Sequence, residues 1–64
     1  MADKNIATEK ISNRTMRYVM KYRSATDINR KVDINTALTL LSIAQNMPTT
    51  DANKIIQIAE TLVK

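Results

Sequence analysis

The chain has 64 residues, a net charge of +4, and no Cys, His, Gly, Trp or Phe. Those absences exclude disulfides, Cys/His zinc sites, Ser-His and Cys-His nucleophile pairs, the phosphate-cradling P-loop and the glycine-rich dinucleotide fingerprint. A chain this short is expected to form one domain, 1–64, and to hide only ~60% of the surface its unfolded form exposes.

The charge is unevenly placed. Residues 1–32 hold eight Lys and Arg against three Asp and Glu, a balance of +5, whereas 33–64 hold two against three, a balance of −1. No apolar core of a secretory signal follows the N-terminus, and no run approaches the ~20 apolar residues that span a bilayer. The expectation is a soluble, cytoplasmic protein with no membrane partner. Asp-x-Asn recurs at Asp3, Asp27, Asp33 and Asp51, and because Asp and Asn favour caps and turns these read as start signals.

The first helix is predicted over residues 5–23. On a wheel of ~100° per residue, Ile11, Thr15, Tyr18, Val19 and Tyr22 share one side, with Met16 at its edge. Lys10, Arg14, Arg17 and Lys21 fall on a strip only ~60° wide. The stretch 17–23 also alternates like a strand, but both stripes persist at helical spacing across four turns, which favours helix.

Residues 24–32 show the least periodicity and read as a connection, with at most one helical turn starting at Asp27. Asp33 is then the expected N-cap of a second helix, 34–47, which Pro48 closes. Thr49 and Thr50 offer hydroxyls to cap a third helix, 51–64, with Asp51 in its first turn and Lys64 in its last complementing the helix dipole. That third helix divides cleanly into an apolar and a polar side. The second is apolar over ~220°, far beyond the stripe of about 100° that a surface helix needs. No charge occurs between Ile34 and Thr50. The fold class is therefore all-α, a three-helix domain expected to pack as a homodimer, with Leu38, Leu41 and Met47 as candidate interface residues.

No combination of residues composes a catalytic site, and none implies a metal or cofactor, so the expectation is a protein that is not an enzyme. A calcium loop begun at Asp27 fails at its fifth position (Lys31), lacks its turn Gly, and ends on Leu38 instead of Glu. The four Met residues suit core filling and interfaces. Residues 43–50 depart from the helix-turn-helix pattern at Pro48 and Thr49, and Lys54 breaks it again further on. A ribbon-helix-helix would need residues 30–35 as its strand. No family is assigned on these grounds.

The basic stripe carries the functional expectation. Lys10, Arg14, Arg17 and Lys21 can follow a phosphate backbone, releasing a counterion at each neutralised phosphate, and Arg adds bidentate geometry. The leading expectation is a small regulator that binds nucleic acid, DNA ahead of RNA, through this first helix. An acidic protein is the other partner the stripe would fit. The alternative function is a protein–protein interaction module, an adaptor or inhibitor, using the uncharged strip Asn35, Thr39, Ser42 and Asn46 or the apolar excess around Leu38 and Leu41.

Overall fold

A computed structural model describes residues 2–63, with side chains described for 8–63. It folds as α1 (Ala2–Ser24), α2 (Ile28–Ala44) and α3 (Thr49–Val63), with no strand among the described residues. The molecule measures 40 × 16 × 16 Å, and α1, at 1.5 Å per residue, accounts for about 35 Å of that long axis. The alternating stretch 17–23 lies inside α1, so the helical stripes decided its conformation. The predicted positions of Met1 and Lys64 lie outside the described residues.

The start of α2 corrects the sequence reading. Its N-cap is Asp27, not Asp33: Asp27 is extended (φ −85°, ψ 128°) and its Oδ1 accepts from Asn29 N at 3.2 Å. Five residues expected in a connection, 28–32, are therefore helical. They escaped notice because the inward position of that first stretch is polar. Arg30 falls in register with the buried stripe Ile34, Ala37, Leu41 and Ala44, and its guanidinium donates to the carbonyl of Val63 at the end of α3. The apolar residues of the same stretch, Ile28 and Val32, face solvent instead. Of the four Asp-x-Asn starts, Asp27 caps a helix, Asp51 sits in the first turn of α3, and Asp33 is inside α2.

The α2–α3 connection is displaced from its expected place: α2 ends at Ala44, not at 47 against Pro48, and α3 starts at Thr49, not at 51, so the connection is 45–48. After Ala44 the chain tightens through i→i−3 bonds, Asn46 N to Ile43 O at 3.2 Å and Met47 N to Ala44 O at 3.1 Å, before Pro48. Ala52 N then bonds Pro48 O at 2.8 Å. Pro48 thus accepts the first bond of α3, and Thr49 and Thr50 lie within the helix they were expected to cap.

A chain without glycine lacks the usual left-handed residue that terminates helices, and no described residue has positive φ. Cations take over that task. Lys31 Nζ donates to Tyr22 O at 2.8 Å at the end of α1, with its ammonium 4.3 Å from the centroid of the Tyr22 ring. Arg30 does the same for α3. Both cations also complement the negative ends of the two helix dipoles, so part of the N-terminal basic excess serves the fold.

The core consists of Ile11 and Tyr18 from α1, Ile34, Ala37, Leu41 and Ala44 from α2, and Ala52, Ile56, Ala59 and Val63 from α3. Alanines on both helices let α2 and α3 approach closely, and theirs is the most extensive interface, while α1–α3 is the thinnest. The flanking helices cover more of α2 than its apolar arc suggested: Leu41 is 0% exposed, and Leu38 and Leu40 pack half-buried against the core. Leu41 is thus a core residue of its own chain and is unavailable to a second one. The homodimer interface expected there is corrected at that position.

Candidate nucleic-acid interface

Because α1 is continuous from Ala2 to Ser24, the basic residues keep their helical register along one edge. Lys10, Arg17 and Lys21 are exposed, and from Lys10 to Lys21 the edge runs about 16 Å. Arg14 behaves differently. Its guanidinium turns toward α3, where both Nε and Nη2 meet Glu60 Oε1, while Nη1 lies 3.5 Å from the Lys10 carbonyl. The side chains of this pair are 23% and 44% exposed. Three of the four expected cations therefore project freely from the edge, and the fourth ties α1 to α3.

Behind the edge lies a groove of about 360 Å³ lined by Lys10, Arg14, Asn53, Ile56, Gln57 and Glu60. Asn53, Gln57 and Glu60 sit at intervals of four and three on α3 and bring two amides and one carboxylate alongside the cations. The sequence reading placed them only on a polar helix face. A signal for Glu60 was present: an acid near the C-terminal end of a helix opposes the dipole, which points to a cationic partner elsewhere. Lys21 borders a second, shallower cleft of about 300 Å³ with Met20, Ser24, Ala25 and Arg30. Arg23, also on α1, is exposed.

Tyr18 stands below this edge and is 3% exposed. Burial pushes its phenol above the ordinary value of 10.0, the Glu60 charge pushes the same way, and Arg14 and Arg17 oppose it. The phenol thus lies within electrostatic reach of the Arg14–Glu60 pair.

The three candidate interface residues do not form one exposed surface. Leu41 is in the core, Leu38 is half-buried against it, and Met47 lines a cleft of about 540 Å³ with Thr8, Ile11 and the 44–49 turn. Among the described residues, the exposed large apolar side chains are Met16, Met20 and Tyr22 on α1, Ile28, Val32 and Ile43 on α2, and Ile58 on α3. No helix among the described residues is long and apolar enough to cross a membrane. Among the described residues, no three His, Cys, Asp or Glu side chains gather as metal ligands would.

Comparison with known proteins yields no match to a family model, a curated protein or a solved structure.

Proposed function

We propose that this protein is a small, non-enzymatic regulator that binds nucleic acid along the basic edge of α1. The supporting observation is that residues 10–23 present five cations and no carboxylate on one uninterrupted helix. Such an edge neutralises phosphates of a duplex and gives binding that falls steeply with salt. B-form DNA suits it better than RNA, since a helix enters the wide major groove of DNA but not the deep, narrow one of RNA. Single strands are disfavoured because they need aromatic stacking platforms, and the Lys31 ammonium already occupies one face of the Tyr22 ring.

The reading extends to a homodimer. The solvent face of α2 carries Ile28, Val32 and Ile43 at half exposure or more together with Asn35 and Thr39, and desolvating an apolar, uncharged face carries little penalty. A two-fold axis would double the basic edge. The test is fluorescence anisotropy of a short labelled duplex with the wild type and with Lys10→Glu/Arg17→Glu/Lys21→Glu, three exposed positions whose exchange leaves the core intact. These three cations should contribute about −2.7 per protomer to the wild-type log–log salt slope, for three phosphates at ~0.9 each, and the triple variant should lose binding. Equal binding by both proteins would rule out this edge.

The same α2 face favours a second reading, a protein–protein interaction module. A partner that stays bound after nuclease treatment and is released by Val32→Asp/Ile43→Asp would favour that reading over the first.

A further inference from the structure

We infer that the groove between α1 and α3 is a phosphate site whose resident anion is the Glu60 carboxylate, so that nucleic acid engages Arg14 by taking the place of Glu60. This rests on the nucleic-acid reading of the α1 edge and says how that edge works. Arg14 occupies the middle of the strip, one turn from Lys10 and just before Arg17. The Nε–Nη2 edge of its guanidinium is the fork that matches carboxylates and phosphates alike, and Glu60 Oε1 fills it.

The remaining groove fits a phosphodiester. Lys10 stands on the same wall, and Asn53 and Gln57 on α3 supply neutral amide donors opposite. Glu60 is the sole acidic residue lining the groove. Because it is 44% exposed, it can swing to solvent while the core below stays packed. The exchange forms and breaks no covalent bond: a phosphate oxygen replaces a carboxylate oxygen on the same two N–H groups. Glu60 thereby makes the contribution of Arg14 conditional, since any anion entering the groove must outcompete it.

The experiment uses the full chain, a short duplex DNA across a salt series, and the Nε–H resonance of Arg14. Adding DNA to the wild type should move that resonance away from its Glu60-paired position. Arg14→Gln should make the salt slope shallower by ~0.9, the loss of one phosphate contact. Glu60→Gln should bind roughly tenfold tighter, the scale of one charge-assisted hydrogen bond, with its slope unchanged. A resonance that stays at its paired position while DNA binds, or an Arg14→Gln slope equal to that of wild type, overturns the exchange and leaves the wider reading of the edge standing. The resonance measurement needs no substitution, so it decides even if a variant folds poorly. Absence of DNA binding in every protein overturns the nucleic-acid reading instead. Inorganic phosphate added to Glu60→Gln then decides the site: a moved Arg14 Nε–H supports it, and an unmoved one overturns it.

Discussion

The two interfaces that α3 makes are built from different materials. Toward α2 it presents an apolar, alanine-lined surface with Ala52 and Ala59 buried. Toward α1 it offers a polar groove closed by one ion pair. Apolar burial is worth ~25 cal/mol for each Å² removed from water and is not screened by salt. A half-exposed ion pair contributes on the order of 0.2–1 kcal/mol and weakens as salt rises. The α2–α3 hairpin therefore carries stability, whereas the α1–α3 side can change partners at small cost, which is what a binding edge requires.

The sharpest way to break that contrast is to cut into the hairpin. Leu41→Ala removes one of the two largest fully buried side chains and should cost about 2–5 kcal/mol. Set against a total of about 3–10 kcal/mol for a chain this long, the variant should melt far below wild type or fail to fold cooperatively. Ile43→Ala, two residues on but half exposed, should cost under about 1 kcal/mol in dilute solution. If α2 packs against a second copy, that smaller loss should grow with protein concentration, because dimerisation adds to apparent stability by mass action. Thermal melts of both variants over a concentration series check the pair. Similar losses from the two would remove the distinction between core and face.

The capping correction supplies an effect of intermediate size. Asp27→Ala should destabilise by ~1 kcal/mol, the usual worth of an N-cap carboxylate, whereas Asp33→Ala, exposed inside α2, should stay within about 0.5 kcal/mol. Urea melts of the two side by side would reverse the assignment if Asp33→Ala proved the more damaging. The same correction shows where the sequence was readable and where it was not. Helices α1 and α3 announce themselves because their apolar positions repeat without interruption to the ends of their packed faces. The first turns of α2 do not, since a structural cation takes the inward position at Arg30 and apolar residues sit outside at Ile28 and Val32. Periodicity treats that inversion as loop.

The candidate site was legible on one wall only. The α1 stripe is local, and spacing within one helix reveals it. Asn53, Gln57 and Glu60 lie 36 or more positions beyond Arg17 in the chain, and nothing in the periodicity of α3 says which neighbour its polar side meets. Arg14 looked equivalent to Lys10, Arg17 and Lys21 for the same reason. A wheel gives its direction but not the carboxylate waiting there.

Tyr18 reports on that pairing with the smallest expected effect. In Tyr22→Phe it is the sole phenol, since the chain has two tyrosines, and its phenolate absorbance should titrate with a midpoint above 10.0. Burial is the larger cause, so adding Glu60→Gln should lower the midpoint without returning it to the ordinary value. Adding Arg14→Gln should raise it, because the guanidinium opposes the shift. The sign for stability follows from the raised folded value. The contribution is complete below pH 10 and is lost as pH rises through the folded midpoint, so the protein should weaken on the alkaline side. Opposite displacements from the two halves of one ion pair are hard to obtain unless the phenol sits beside both. If the two variants moved the midpoint in the same direction, or left it unmoved, Tyr18 would not lie next to the pair and the groove would be built differently from the arrangement described.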